Sequence, residues 1–531
     1  MNSSDGSSFL PLDISKGEMV SVEASGKVYL VGAGPGDPGL LTIRGAECLG
    51  RADYVLYDGL ANPQLLQWAP QANHICVGKH GQGRTRIWSQ HEIDQAIVSY
   101  AKQGFDVVRL KGGDPAIFAR TAEELQVLQE NGIKFEVVPG ITAALAVASY
   151  VGIPITNRDC ASAVALVTGQ QQGEVNLLDW QALANFPGTL VLYMAVTTAG
   201  EWTSQLINFG KSPDTAVTII RGCTLPDQSV WCCTLGEVSS LLGPNSSIRP
   251  PAIVIVGQVA ELAGRFDWFT SRQLHGCGVW VTRPMHQAKD LCAALREFGA
   301  NVFVQPLIEI VPPLDLQPMN DALSKLRTGA FSGVTFASAN AVDGLIGQLQ
   351  EQGGDARAFA GCWLGAVGAG TARRLAEYGL RADVIPDKEN SNAFGLSRMV
   401  ADRVAGQACL VTTTNGGRDT LARELTNSGA IVTVVEAYHT AAVTGLTPDI
   451  LMAIEQERLH MITITSCKIA RIAHQLLGKF SDRVHPISLS SQITKCLEEL
   501  SWPAIEEAEH PNDQSMVEAT VMAWQKLKIA R

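Results

Sequence analysis

The apolar residues of this chain fall into short blocks closed by small or turn-forming residues. Val28–Gly32 (VYLVG) is a continuous β-rich run ending in glycine, the pattern of a strand buried on both faces. Ala52–Asp58, Val107–Leu110 and Phe135–Val138 repeat it, each followed by a turn marked by Gly or Pro. Between them lie stretches with helical spacing, among them Gln90–Lys102 and Thr121–Asn131. This alternation predicts an α/β fold. After Pro154 the texture changes, but Ala163–Thr168, Thr189–Tyr193, Ala216–Ile220 and Ala252–Gly257 still read as strands, with a helix over Ala199–Phe209. Two α/β lobes are therefore expected within residues 25–270.

A boundary is expected near Thr270–Gly278, ahead of a new strand at Val279–Thr282. Beyond it the pattern nearly repeats itself. Gly333–Ser338 (GVTFAS) is echoed by Met461–Ser466 (MITITS), and Leu364–Leu375 more faintly by Ile487–Leu497. Each member reads as a strand, a small-residue turn and a helix, so two similar α/β lobes are expected over residues 275–531. Residues 1–24 are polar and acidic with no apolar core, and read as a flexible leader, not a signal peptide.

Composition narrows the class. The 531 residues include 50 Gly and are 46% hydrophobic but only 18% charged, an ordinary globular balance that favours parallel sheets covered by helices. The net charge of −11 argues against general nucleic-acid binding, although a local basic pocket for an anionic substrate stays compatible with it. The 12 cysteines contain no C-x-x-C pair and the 10 histidines form no ligand cluster, so reduced thiols and no metal site are expected. No stretch reaches membrane-spanning length, and a soluble, cytoplasmic protein is expected.

Three strand-to-loop transitions carry the candidate chemistry. Gly34–Gly39 (GPGDPG) satisfies G-x-G-x-x-G, with Asp58 at the spacing of a dinucleotide fingerprint. Pro35 and Pro38, however, remove backbone donors that would cradle a pyrophosphate, and Asp37 would oppose its charge. A different cofactor loop, or a plain tight turn, are the remaining readings. Arg109–Pro115 (RLKGGDP) and Pro139–Ala143 (PGITA) supply two more small-residue loops. Loops after three successive strands point to one crevice at the carboxyl edge of a sheet.

Together with TLVLYM and PAIVIVGQV, these segments resemble uroporphyrinogen-III C-methyltransferase, one of the tetrapyrrole methyltransferases that use S-adenosylmethionine; the resemblance spans residues 25–270. It implies methyl transfer to C2 and C7 of uroporphyrinogen III, giving precorrin-2, and a homodimer formed through this half. It also implies that Pro35, Gly112, Gly113, Asp114, Ile117, Thr142, Ala143, Met194 and Gly222 line the cofactor site. Asp58 and Lys79 match the family's proton acceptor and donor; without the resemblance they read as a strand-end Asp and a surface Lys. The substrate side departs from the family: Asn157 and Gln170 replace two histidines, Ala195 replaces a glycine, and Arg158 remains as a substrate contact.

The second half, over residues 275–531, resembles uroporphyrinogen-III synthase through VWVTRP, TFASANAV, AVGAGTARRLAEYGL, the strand ending at Tyr438, and ITITS. The fold implied is bilobal, with two flavodoxin-like lobes and crossings near Ile310 and after Tyr438. The reaction implied is closure of hydroxymethylbilane with inversion of its last ring and loss of water. Ser338, Thr371, Ser466 and Thr494 stand where hydroxyls and helix N-termini could bind carboxylates, or could simply cap helices. Tyr438 matches a tyrosine proposed to assist departure of the hydroxyl; a half-buried strand aromatic is its other reading. The expected whole is a bifunctional enzyme of sirohaem or cobalamin biosynthesis, with no nucleic-acid or membrane partner. A precorrin methyltransferase fused to a non-catalytic tetrapyrrole-sensing module is the alternative. A polycarboxylate substrate needs cations, and Arg44, Lys79, Arg84, Arg86, Lys111, Arg120, Arg158, Arg283 and Arg373 are the candidates.

Overall fold

A computed structural model describes residues 25–78, 88–170, 178–243, 246–387, 390, 392–415, 417 and 419–530. The chain divides into two compact units, Met1–Gly276 and Cys277–Arg531.

In the first unit the leading sheet comprises β1 (Val28–Gly32), β2 (Tyr54–Tyr57), β3 (Asn73–Cys76), β4 (Val107–Lys111) and β5 (Phe135–Val138), in the order β3-β2-β4-β1-β5. All its pairings are parallel. β1 and β4 are buried at every position, which is why they read as unbroken apolar runs. Helices cover both faces, packing Leu49, Leu65 and Val108 on one side and Ile97, Ala101 and Leu128 on the other. The second sheet comprises β6 (Val164–Thr168), β7 (Thr189–Tyr193), β8 (Ala216–Arg221), β9 (Ser229–Thr234) and β10 (Ala252–Val256), in the order β6-β7-β10-β8-β9. It departs from the parallel expectation. β10 runs antiparallel to β7 and β8, and β8 antiparallel to β9.

The second unit also holds two sheets. β11 (Gly278–Val281), β12 (Asn301–Val304), β18 (Met461–Ile464), β19 (His485–Ser488) and β20 (Glu506–Glu507) form a parallel sheet in the order β12-β11-β18-β19-β20. β13 (Ile308–Val311), β14 (Gly333–Phe336), β15 (Trp363–Ala366), β16 (Ala408–Thr414) and β17 (Ile431–Ala442) form the other, in the order β13-β17-β16-β14-β15. The long β17 pairs in parallel with β16, and then its last residues turn antiparallel to β13. β13 and the end of β17 therefore form a two-stranded connector between the lobes. The near-repeat is visible in space: two residues past β14 and β18 stands a serine, Ser338 and Ser466, that caps the next helix.

Candidate functional site

Because the first sheet is parallel, the carboxyl ends of β1, β2, β4 and β5 open on one edge. Just beyond it Gly34 and Gly113 exchange hydrogen bonds, N–H of Gly34 to O of Gly113 at 3.1 Å and N–H of Gly113 to O of Gly34 at 2.8 Å. Both sit at positive φ, +73° and +69°, where a side chain would be strained. The third loop closes on the other two at Gly140, whose hypothetical Cβ would lie 2.2 Å from Gly113 O. Asp114 fastens the arrangement, accepting from Ala116 N–H at 2.7 Å and Gly140 N–H at 2.9 Å. Pro35 leads from the first loop into Gly36 and Asp37, which meet the loop after β8. There Asp37 N–H donates to Thr224 Oγ1 at 2.9 Å, two residues past Gly222 (φ +61°). Asp37 also accepts from the Tyr150 hydroxyl at 2.9 Å; burial first, then that carboxylate, pushes the Tyr150 hydroxyl pKa up. The residue that argued against a pyrophosphate is a structural staple between lobes.

The second lobe supplies the facing wall. The Tyr193 hydroxyl shares a 2.6 Å hydrogen bond with Thr142 Oγ1 and accepts from Ala144 N–H at 3.0 Å. It thereby caps the helix Ala143–Tyr150. Met194 follows at φ +52° and 46% exposed, and Phe118, at φ +49° and 45% exposed, packs its ring 5.1 Å from that of Tyr193. Large apolar side chains held exposed in left-handed backbone are a costly arrangement. Ile117 is half-buried beside Phe118. Thr142 and Met194 are residues the resemblance implies; Tyr193 and Phe118 beside them were not among the expected site residues, and their signal was only their place next to those motifs.

Asp58 lies at the end of β2 on the same edge. It accepts from Gly112 N–H at 3.2 Å through Oδ2 and from the Arg109 guanidinium through Oδ1. Arg109, only 4% exposed, also reaches Glu124 Oε1 at 3.3 Å, and Glu124 accepts from Lys111. Burial works against the Arg109 charge, but Asp58 and Glu124 outweigh it and raise the pKa; burial lowers that of Lys111. Lys111 is thus a correction: at 2% exposure and paired with Glu124, it is no substrate cation. Arg44 is committed to Glu136 and Glu47, and Arg120 to Glu123. Arg158 is exposed in the loop where Asn157 accepts from Asp159 N–H at 2.8 Å, a turn-forming use of the replaced histidine's position. Lys79, Arg84 and Arg86 lie outside the described residues.

In the second unit, Tyr438 on β17 and Ser338 after β14 come together, hydroxyl to hydroxyl at 3.2 Å. Ser338 also caps its helix by accepting from Ala341 N–H at 3.2 Å, and Ser466 accepts from Ile469 N–H at 3.2 Å. Lys468, in the first turn after Ser466, donates to Thr440 O at 2.9 Å, bringing that helix start to the strand just past Tyr438. Thr371 and Thr494 are placed differently. Thr371 is 7% exposed within its helix, and the Thr494 hydroxyl is engaged by Ser488 at 2.6 Å, Ser490 and Glu507. Arg283 is paired with Asp513, while Arg373 is exposed. Lys468 was missed because a single helical lysine carries no pattern. Among the described residues no group of three His, Cys, Asp or Glu could hold a metal, and no helix is long and apolar enough to cross a membrane.

Residues 27–239 match the family model of the tetrapyrrole (corrin/porphyrin) methylases, and residues 289–518 that of uroporphyrinogen-III synthase HemD. The chain is 34% identical over 444 residues to a porphyrin biosynthesis protein HemD of Ruminiclostridium josui, covering 83% of this chain and 87% of that protein. It is 36% identical over 390 residues to a uroporphyrinogen-III C-methyltransferase of Bacillus subtilis, covering 72% of this chain and 78% of the relative. A solved structure of uroporphyrin-III C-methyl transferase from Thermus thermophilus, complexed with S-adenyl homocysteine, aligns at 36% identity and a TM-score of 0.39; it covers 45% of this chain and 100% of that one.

Proposed function

Because the chain belongs to the tetrapyrrole methylases over its first half and to the uroporphyrinogen-III synthases over its second, we propose that it performs two consecutive steps. The second half closes hydroxymethylbilane to uroporphyrinogen III, and the first methylates that product at C2 and C7 to precorrin-2. It is a bifunctional enzyme of tetrapyrrole biosynthesis, a methyltransferase and a synthase on one polypeptide.

The observation that carries the first activity is the cradle at the carboxyl edge of β1, β4 and β5. Its floor is backbone, because the loops meet too closely at Gly32 and Gly140 for side chains. Its wall is the exposed pair Phe118 and Met194. A cradle with a backbone floor and an apolar wall, with the Thr142 and Tyr193 hydroxyls and the Asp114 carboxylate beside it, fits S-adenosylmethionine. Pro35, Gly112, Gly113, Asp114, Ile117, Thr142, Ala143, Met194 and Gly222 would hold it. When bound, the cofactor supplies an electrophilic methyl group. Asp58, held between Gly112 N–H and Arg109, takes up the proton the porphyrinogen sheds on methylation, and Lys79 is assigned the complementary donation. Arg158 is assigned to the substrate carboxylates.

In the synthase half, the Tyr438 hydroxyl donates a proton to the departing hydroxyl group of the bilane while Ser338 orients it. The pyrrole nitrogen's own electrons drive that departure, so the protein mainly folds the chain and stabilises charge. Ser466 and its helix start bind an acidic side arm; Thr371 and Thr494 support the helices around it. Two further features belong to this proposal. Phe135 and Val137 on edge strand β5 and Leu166 on edge strand β6 are exposed, which supports homodimerisation through this half. Twelve free cysteines support a cytoplasmic setting.

The test uses the full chain. Given hydroxymethylbilane alone it should yield the type III isomer, and with labelled S-adenosylmethionine it should place two methyl groups on that product. Only spontaneous type I isomer would overturn the synthase assignment. No transfer to uroporphyrinogen III despite cofactor binding would overturn the acceptor.

A further inference from the structure

Four ionisable side chains form one continuous chain behind the crevice: Asp58, Arg109, Glu124 and Lys111. Three of them are sealed inside, with side-chain exposures of 5% for Arg109, 1% for Glu124 and 3% for Lys111, whereas Asp58 stands 30% exposed at the mouth. Arg109 uses four of its five donors: Nε to Glu124 Oε1 at 3.3 Å, Nη1 to the carbonyls of Leu110 and Leu56 at 3.2 and 3.4 Å, and Nη2 to Asp58. The rear end is held as firmly. Glu124 Oε2 takes Lys111, and Gln90 Nε2 donates to Glu124 Oε1 at 3.3 Å.

The charges explain the direction of the arrangement. Arg109, Lys111 and Glu124 sum to one positive charge in an apolar interior; Asp94 lies at the rear beside Gln90, and Asp58 is the carboxylate that Arg109 binds at the mouth. The buried guanidinium therefore favours an Asp58 carboxylate turned toward it. Arg109 reaches this carboxylate through Nη2 and Oδ1 alone. Gly112 N–H holds the other oxygen, so the carboxylate has one orientation at the mouth.

We infer that Arg109, anchored by Glu124 and Lys111, is a positioning residue that sets the orientation of Asp58 for proton acceptance during methyl transfer. The inference rests on the reading of Asp58 as proton acceptor. None of the three buried residues touches the crevice; they act through Asp58.

The experiment is a double-mutant cycle on the full chain with uroporphyrinogen III and S-adenosylmethionine. Arg109→Met leaves the buried Lys111–Glu124 pair neutral and should lower kcat about tenfold or more, with KM for the cofactor within about twofold, as misorientation of a reacting group does. Added to Asp58→Asn, the same substitution should change kcat less than about twofold, because there is no carboxylate left to orient. Arg109→Met slowing Asp58→Asn as much as it slows the parent would overturn the inference and leave the proton-acceptor role standing. Full turnover in Asp58→Asn alone would instead overturn that role, and the inference with it. Should Arg109→Met not fold, the paired change Lys111→Met with Glu124→Gln keeps the interior charge balanced. It should slow the parent severalfold and Asp58→Asn not at all; equal slowing of both would again overturn the inference.

Discussion

Gly140 has no room for even one methyl group, since a Cβ there would meet Gly113 O, Gly32 Cα and Gly32 C within 3 Å. That requirement is invisible in a P-G-I-T string, which reads equally well as a surface turn. Asp114 and Asp58 make the same point with opposite outcomes. Both are acidic residues just past a strand, but Asp114 spends its oxygens on loop amides while Asp58 keeps an exposed face. Lys111 and Arg109 stand two apart on β4, and both turn inward because β4 is buried at every position. At Tyr438 the proposal is checked directly. The ring is 9% exposed and packs with Ala341, Ala437 and Ile310, so Tyr438→Phe keeps the packing and removes the hydroxyl. Formation of the type III isomer is expected to slow on the order of 10²-fold with the thermal midpoint nearly unchanged; undiminished turnover would exclude the tyrosine as acid.

Among the elements, the helix Ala143–Tyr150 borrows its cap. Thr142 occupies the N-cap position without bonding its own helix, and the Tyr193 hydroxyl from the other lobe accepts from Ala144 N–H instead. Tyr193→Phe should cost about 1 kcal/mol of stability, the usual worth of a cap, and weaken S-adenosylhomocysteine binding in titration calorimetry. Edge strand β5 is tied down by charge. Glu136 bonds Arg44 and Lys27, which hold its carboxyl at about 2, below the ordinary 4.5. A depressed carboxyl contributes stability that is present above the unfolded value and lost as pH falls through the folded one. The stability difference between the parent and Glu136→Gln should therefore be constant above pH about 5, shrink from there toward about 2 and vanish below it. A difference independent of pH would exclude the ion pair as its source. Two of the strands that escaped the sequence pattern are edges, but β16, central and buried at four of its seven positions, escaped it too. β3 (NHIC) is polar and exposed at two of four positions, and β9 is intermediate at most positions, so neither carries the apolar run that betrays a central strand.

For the whole molecule, the two compact units have separate cores, so ligand linkage should separate them. In scanning calorimetry, S-adenosylhomocysteine at about 100 times its Kd should stabilise one of two transitions by ~2.7 kcal/mol and leave the other in place. A single transition that moves as a whole would show that the halves unfold together. Most strands of the first unit and the loops with their glycines were legible in the sequence, because buried parallel strands and close backbone approach demand particular residue types locally. The antiparallel turn of β10 and the meeting of Tyr438 with Ser338, a hundred residues apart, were not, whereas the crossings near Ile310 and after Tyr438 that the resemblance implies are where β13 and the end of β17 pair. By itself the sequence determined that three loops open on one sheet edge and that two α/β pairs repeat later. Only the tertiary structure decided which charged groups face that edge. Charge pairing in a low-dielectric interior is fixed by neighbours brought together by folding, and it turned Lys111 and Glu124 inward while leaving Asp58 at the mouth.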